Sequence, residues 1–158
     1  MCALISNAYF WNRLILHHRV MAIKLQNLPE EINEKQLIKN IKKFVTKHGG
    51  NIEKLEIHFV PRERMDQVHK MFLDDDETDT MTFNYGTKEK IITESFISPW
   101  FVKRSAKERN TPYFQELLRV VGHSVSHGLG HKDDTPHEKK IMTCLEDEFI
   151  ELFQIPKT

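Results

Sequence analysis

Residues 122–134 have the sequence GHSVSHGLGHKDD, and this is where side chains able to bind metal are most concentrated. His123 and His127 are four positions apart, so on a helix their rings share one face, about one turn apart, and can bind one ion. Gly128 and Gly130 weaken the helix directly after this pair and allow the chain to turn back. The spacing therefore predicts a metal site on a helix that is followed by a turn.

A third ligand has to come from beyond the glycines, and the candidates there are His131, Asp133, Asp134 and, further on, His137. On an unbroken helix, His131 would lie about 12 Å from His123 along the axis, at about 1.5 Å per residue. Zinc–nitrogen bonds are only about 2 Å long, so His131 can bind only if the helix ends before it. Asp133 has more loop with which to reach the histidine pair. The spacing favours Asp133 over His131 and leaves both open.

The composition is that of one folded domain. The chain has 158 residues, of which 39% are hydrophobic and 29% charged, so it can bury a core, and disordered and low-complexity classes are excluded. Cys2 and Cys144 make no disulfide framework and no metal-binding spacing, which favours a reducing compartment. The formal net charge is zero, which argues against a protein that binds nucleic acid through its overall charge but allows a local basic patch.

The first 20 residues are apolar but do not make a signal peptide, because they lack a basic start and because Arg13 and Arg19 interrupt them. The uncharged residues 2–12 are too few for the ~20 that cross a bilayer. From Met21 onward the sequence, MAIKLQNLPEEI, resembles the beginning of a protein, with Met21 as the native initiator. We interpret residues 1–20 as an N-terminal extension or the result of an upstream start, and residues 21–158 as a single domain. We expect a cytoplasmic protein without a membrane partner.

The remaining sequence predicts an α+β domain with a small mixed sheet of about four strands and about five helices. Three segments alternate with the period of a half-buried strand: LEIHFVP (55–61), DTMTFNY (79–85) and KIITESFIS (90–98), the last two joined by a turn at Gly86. Helical spacing from Ile32 to Val45 predicts a first helix, which stops at Gly49-Gly50. A short helix over 62–72 precedes LDDDET (73–78), which we interpret as a solvated loop.

Three further helices are predicted where a capping residue precedes a proline. They begin at Ser98-Pro99, Thr111-Pro112 and Thr135-Pro136 and cover about 99–109, 112–128 and 136–153. The first helix also carries a lysine at every fourth position on the side opposite its apolar residues: Lys35, Lys39, Lys43 and Lys47. These lysines form either a solvated face or a stripe that contacts RNA phosphates.

The segment HSVSHGLGHKD resembles the signature H-G-x-x-H-x-x-G-x-x-H of the YbeY endoribonuclease family, in which three residues bind zinc. His123, His127 and Gly130 lie at matching positions, and Asp133 lies at the position of the third ligand, as in the forms of the family that have Asp there. The resemblance continues in collinear order over roughly residues 50–150. Its further segments are TDTMTFNYG (78–86), EKIITESFIS (89–98), ELLRVVGH (116–123) and HEKKIM (137–142).

Three positions depart from the family pattern. Ser124 replaces the glycine after the first histidine, and Ser126 replaces an apolar residue between the histidines. Phe72 stands where the family has an arginine that is implicated in handling the RNA backbone. The residues that could replace this arginine are Arg62, Arg64, Lys70 and Arg119.

The resemblance implies a zincin-like fold with the metal site on a central helix, and a single metal-dependent hydrolase domain over 21–158. It implies a zinc-dependent, single-strand-specific endoribonuclease that acts in 16S rRNA 3′-end maturation and late-stage 70S ribosome quality control. The implied cofactor is one Zn²⁺ per chain, and the anionic Asp133 widens the choice to Mn²⁺ or Fe²⁺. The implied partners are single-stranded RNA or rRNA and the ribosome or a ribosomal protein, and no DNA is expected.

Two histidines and one aspartate leave a fourth metal position for water, which is the arrangement of a catalytic site, and this metal-bound water would hydrolyse a phosphodiester. Ser124 stands where H-E-x-x-H proteases have their base, so we assign no protein base and disfavour peptide hydrolysis. Asp79, Glu94 and Arg119 are candidates for orienting the ligands or contacting substrate, and Asp79 equally for fixing a turn. The alternative function is a non-catalytic, zinc-stabilised module that docks on the ribosome.

Overall fold

The structure is a computed structural model that describes residues 22–72 and 79–155. The N-terminal extension inferred over 1–20 and the acidic segment 73–78 lie outside the described residues. The strands are β1 (Ile23–Gln26), β2 (Ile52–Phe59), β3 (Thr80–Asn84) and β4 (Ile91–Ile97). The helices are α1 (Glu34–Lys47), α2 (Arg62–Phe72), α3 (Pro99–Arg109), α4 (Tyr113–Gly128) and α5 (Pro136–Glu151). The predicted α+β class, with four strands and five helices in the described ranges, is confirmed.

The four strands form one mixed sheet in the order β1-β2-β4-β3. Strand β2 is parallel to both β1 and β4, whereas β3 is antiparallel to β4. The predicted turn at Gly86 joins β3 to β4, with Thr87 bridged to Lys90. Strand β1 was not located from the sequence, because four residues are too few to display a strand period. The sheet therefore begins before the first helix as well as in the middle of the chain.

The two faces of the sheet differ in what covers them. The inner face packs against α1, α4 and α5 in the main core, which includes Leu55 and Ile57 of β2 and Phe149 of α5. On the outer face, α2 covers only the β3–β4 side through Met65 and Val68, which form a smaller cluster with side chains of β3 and β4. The rest of the outer face, over β1 and β2, carries half-buried polar residues.

Helix α4 is the central helix, held between α5 and the inner face of the sheet. At Gly122 a Cβ would lie only 2.9 Å from the ring of Phe149, and at Gly128 a Cβ would lie 3.1 Å from Cγ2 of Thr93. The absence of side chains at these two positions lets α5 and β4 approach the helix backbone closely. This close packing fixes the half of α4 that carries His123 and His127.

One predicted helix start is wrong. Helix α4 begins at Tyr113 with Pro112 as its N-cap, not with Thr111 as a capping residue before a proline at the first position. The Thr111 hydroxyl instead donates to Oε2 of Glu116, at 3.4 Å, because that carboxylate is buried and needs partners. The other two helices begin with proline at the predicted position.

Candidate metal centre

The structure brings together the three side chains that the sequence singles out. Nε2 of His123 lies 3.0 Å from Nε2 of His127. Oδ2 of Asp133 lies 3.3 Å from the first of these nitrogens and 3.9 Å from the second. Two ligands about 2.0–2.1 Å from a tetrahedral ion lie roughly 3.3 Å apart. The three observed separations bracket this value, so the donor atoms are close enough together for one divalent ion to contact all three.

The loop after α4 brings the side chain of Asp133, and not that of His131, to the predicted histidine pair. The helix ends at Gly128, and Gly130 reverses the chain with a φ of +94°, a conformation that favours glycine. Asp133 is thereby carried back over the histidine pair. His131 is neither among the residues that line the pocket nor in the group of three donor atoms. Burial lowers its pKa, and the nearby charges of His48 and Lys88 lower it further. His131 contributes to the site only through its backbone carbonyl.

Both predicted ligand histidines are held by hydrogen bonds at Nδ1. His127 Nδ1 donates to the carbonyl oxygen of His131 at 2.9 Å, and His123 Nδ1 donates to Oε1 of Glu146 at 2.8 Å. In the neutral rings these bonds place the protons on the Nδ1 atoms, so that the Nε2 atoms present their lone pairs. Burial, and then the neighbouring His123, lower the pKa of His127, which favours its neutral, metal-binding form.

Glu146 is a site residue that sequence reasoning did not identify. It is buried on α5, 23 positions from His123, and its second oxygen accepts a hydrogen bond from Nη1 of Arg119 at 3.2 Å. Arg119 also contacts Asp147 at 3.2 Å and the buried Glu116 at 3.4 Å. Burial alone would lower the pKa of Arg119, but its hydrogen bonds to Glu146 and Asp147 raise it. The sequence feature that could have identified Glu146 is its position as a carboxylate on the apolar, packing side of α5.

Asp79 and Arg119 line the same open pocket as the three predicted ligands, a pocket of about 380 Å³ to which Arg109 also belongs. Burial raises the pKa of Asp79, although Ser105 Oγ, which donates to its Oδ2 at 3.4 Å, acts in the opposite direction. Among the four residues considered as replacements for the family arginine, Arg119 is the one that lines this pocket. Phe72 is the last residue of α2.

The structure does not bring Glu94 to this pocket. Side chains alternate along a strand, and its neighbours Thr93 and Ser95 are buried on the inner face, next to α4. Glu94 therefore projects from the outer face, where it lies 3.8 Å from His58. The structure therefore does not bring Glu94 together with the predicted ligands, because strand alternation places it on the opposite side of the sheet.

The two serines that depart from the family pattern are both buried and both engaged. Ser124 Oγ hydrogen-bonds to Oγ1 of Thr80 at 3.1 Å, and Ser126 Oγ donates to the carbonyl of Gly122 at 2.8 Å. Neither hydroxyl is directed at the predicted ligands as a base would be. The four predicted RNA-contact lysines are exposed on α1, outside the pocket lining, and Lys47 pairs with Glu148 of α5.

Within the described ranges, no helix is long and apolar enough to span a membrane. Known proteins match this chain over most of its length. It is 31% identical over 134 residues to a Chlorobium phaeovibrioides protein described as Endoribonuclease YbeY, covering 84% of this chain and 90% of that protein. The Phocaeicola vulgatus protein of the same description is 29% identical over 126 residues, covering 79% and 91%.

The fold comparison agrees in architecture. A solution structure of a Thermotoga maritima protein superposes with a TM-score of 0.57 at 23% identity, covering 82% of this chain and 87% of that one. The family model described as Endoribonuclease YbeY matches residues 22–154, which is nearly the whole of the described chain. The chain therefore belongs to the YbeY endoribonuclease family.

Proposed function

We propose that this protein is a metal-dependent, single-strand-specific endoribonuclease. The observation that carries the proposal is the convergence of His123 Nε2, His127 Nε2 and Asp133 Oδ2 in an open pocket. The relatives described as endoribonucleases support the reaction class. We assign one Zn²⁺ to these three side chains, with Mn²⁺ or Fe²⁺ as alternatives because one ligand is anionic.

The chain's own residues hold and orient this site. His131 and Glu146 fix the two imidazole rings, so that both Nε2 lone pairs remain directed at one point. A divalent ion bound in such a site supplies Lewis-acid polarisation of a phosphoryl oxygen and a lowered pKa for a coordinated water. The described part of the chain supplies no base in the position of the protease glutamate, and this favours phosphodiester over peptide hydrolysis.

Arg109 is the residue best placed to contact the RNA backbone in the pocket. Its side chain is 60% exposed, and its Nη1 lies 3.6 Å from Oε1 of buried Glu116, which orients the guanidinium without removing the side chain from solvent. Arginine pairs with phosphate through charge-assisted hydrogen bonds. Arg109 thus supplies a positive charge at the pocket of a chain that has Phe72 at the sequence position of the family arginine. Asp79 remains a candidate for contacting substrate in the same pocket.

We assign the natural substrate as rRNA, with action in 16S 3′-end maturation and 70S ribosome quality control in the cytoplasm, as the resemblance implies. The ribosome or a ribosomal protein would then be the partner, and the exposed lysines of α1 would contact RNA phosphates.

Changing Lys39 and Lys43 to Gln should reduce the salt dependence of RNA binding. The slope of log binding constant against log salt concentration should become less steep by about 0.7 for each phosphate that is no longer neutralised. Lys140→Gln, which alters an exposed lysine of α5, is the control.

The central test is cleavage of a labelled single-stranded RNA with and without chelator. Wild-type protein and His137→Ala, which alters an exposed histidine outside the pocket, should both cleave. Chelator and His127→Ala should each abolish cleavage. Equal cleavage by His127→Ala would point to a contaminating nuclease. Bound zinc without any cleavage, even with ribosomes added, would favour the non-catalytic docking module.

A further inference from the structure

A second group of metal-binding side chains lies on the outer face of the sheet, on the side away from α4. Glu56 and His58 project from β2 and Glu94 projects from β4, and one donor atom of each lies within 4.8 Å of the other two. Nε2 of His58 is 3.5 Å from Oε2 of Glu56 and 3.8 Å from Oε1 of Glu94. The sheet itself separates these atoms from the pocket that contains His123.

The ring of His58 is fixed by contacts with two neighbouring strands. Nδ1 donates to Oε1 of Gln26 on β1 at 2.6 Å, and the ring stacks on Phe96 with centroids 5.0 Å apart and planes 17° apart. Because Nδ1 carries the proton, Nε2 presents a lone pair. This nitrogen is buried, and among the described residues it has no hydrogen-bond partner. A buried acceptor without a donor is costly.

The two carboxylates add a second requirement for positive charge. Glu56 and Glu94 are paired directly across the β2–β4 ladder, and like charges opposite each other on neighbouring strands are destabilising. Lys54 lies 3.2 Å from Oε1 of Glu56, which leaves the other oxygen, Oε2, facing His58. A lone pair and two carboxylate oxygens thus meet at one point with only part of their charge balanced.

We propose that Glu56, His58 and Glu94 bind a second divalent transition-metal cation, which links β2 to β4 and is distinct from the ion assigned to His123, His127 and Asp133. One imidazole and two carboxylates suit Zn²⁺, Mn²⁺ or Fe²⁺. The hydrogen bond from His58 to Gln26 plays the part of the outer partner that orients metal-bound histidines. An ion that binds only the folded chain also stabilises it.

Zinc content measures this proposal directly, with no need for ribonuclease activity. Tag-free full-length chain is dialysed against micromolar Zn²⁺ and its bound zinc is counted by mass spectrometry. We expect two equivalents for wild type and one for His127→Ala, in which the site on α4 is removed. His127→Ala combined with His58→Phe should bind none, or at least tenfold more weakly. Phenylalanine keeps the stacking on Phe96 while removing both ring nitrogens.

The matched control is Glu53→Gln in the His127→Ala chain. Glu53 is on the same strand but outside the group of three side chains, and it is paired with Lys90 at 3.2 Å, so this variant should retain one equivalent. If the His58 variant does not fold, the same count on Glu94→Gln replaces it, with the same expected loss. Zn²⁺ should also raise the melting temperature of His127→Ala but not of the double variant.

Two results would overturn the proposal. The first is a His127→Ala chain that binds no zinc, together with ¹⁵N spectra in which both nitrogens of His58 remain protonated in the presence of Zn²⁺. A proton would then fill the position between the carboxylates. The second is one equivalent that persists after His58→Phe or Glu94→Gln, which would place the bound zinc elsewhere on this histidine-rich chain.

Discussion

The partner of Nδ1 determines what each histidine of this protein can do. In His123 and His127, a carboxylate and a carbonyl accept hydrogen bonds from the Nδ1–H groups, and the two Nε2 atoms are left to converge. In His58, a side-chain amide has the same effect on the other side of the sheet. His131 has the same side chain as the ligands and is closer to them in sequence than Asp133, yet only its main chain takes part.

Removing the charge of Glu146 should weaken metal binding without removing a ligand. Glu146→Gln keeps the size of the side chain but makes a weaker acceptor for His123 Nδ1, and loss of such a partner typically lowers metal affinity about 10–100-fold. Competition with a chromophoric chelator measures the effect. Asp147→Asn is the control, because Asp147 accepts from the same Arg119 but is exposed and does not contact His123. Equal affinities for the two variants would contradict the role given to Glu146.

The ionised carboxylate of Asp79 should destabilise the folded protein at neutral pH. Burial raises its pKa, so the folded state binds the proton more tightly than the unfolded state and the ionised form is disfavoured. Asp79→Asn should therefore raise the free energy of unfolding at pH 7.5, and this gain should disappear below about pH 4, where the carboxyl is protonated in both states. Urea unfolding of metal-free protein tests this, with Asp66→Asn, whose side chain is 43% exposed, as control. A loss of stability at pH 7.5 would instead indicate that Asp79 fixes a turn.

At the scale of elements, α5 depends on a local signal at its start and on distant packing for its role. Thr135 Oγ1 accepts from the backbone of Glu138, whose side chain accepts in return from the backbone of Thr135, which is a complete capping box. Ser98 precedes α3 in the same sequence context but makes no side-chain capping bond. The same pattern in the sequence therefore contributes differently at the two helices.

Alanine substitution at the two capping positions should have different effects on the free energy of unfolding. Thr135→Ala should lower the free energy of unfolding by about 1 kcal/mol, because it exposes backbone donors at the start of α5. Ser98→Ala should have a smaller effect or a stabilising one, because the buried Ser98 hydroxyl has no hydrogen-bond partner in the described part of the chain. Urea unfolding of both variants provides the comparison. A larger loss for Ser98→Ala would mean that its hydroxyl is satisfied.

At the scale of the molecule, two half-buried histidines should make the metal-free protein sensitive to mild acid. Burial, followed by neighbouring charges, lowers the pKa of both His127 and His131. Below about pH 6.5 the unfolded chain therefore binds more protons than the folded one, and the free energy of unfolding falls as the pH falls. His131→Gln should flatten this dependence. Urea midpoints at pH 7.5 and 5.5, in chelator, measure it, and exposed His137→Gln should leave the slope unchanged.

The arrangement of the whole sheet also separates two kinds of site. Strand β4 lies centrally, with Thr93 and Ser95 turned toward α4 and Glu94 turned away from it. The inner face supports the pocket in which the proposed reaction takes place, whereas the outer face gathers Glu56, His58 and Glu94. An ion bound on the outer face would stabilise the sheet and would not contact substrate, because the two sets of proposed ligands are on opposite sides of β2 and β4.

The sequence alone was sufficient for features that depend on spacing within one element. The i, i+4 histidines, the glycine break after them, the turn at Gly86 and most helix starts follow from local backbone preferences, and the structure agrees with each. The resemblance that the sequence carries also led to the correct family. The extension over 1–20, the lysine stripe and the ribosomal role remain predictions.

Tertiary structure decided which residues from different elements meet. Spacing left His131 and Asp133 open as third ligands, and the reversal at Gly130 places Asp133 over the pair. Glu146 reaches His123 only because α5 packs on α4 at Gly122, and Glu94 meets His58 only because β2 and β4 are neighbours in register. Local preferences depend on a few bonds along the chain. Contacts between elements depend on packing and register, which no spacing within one segment specifies.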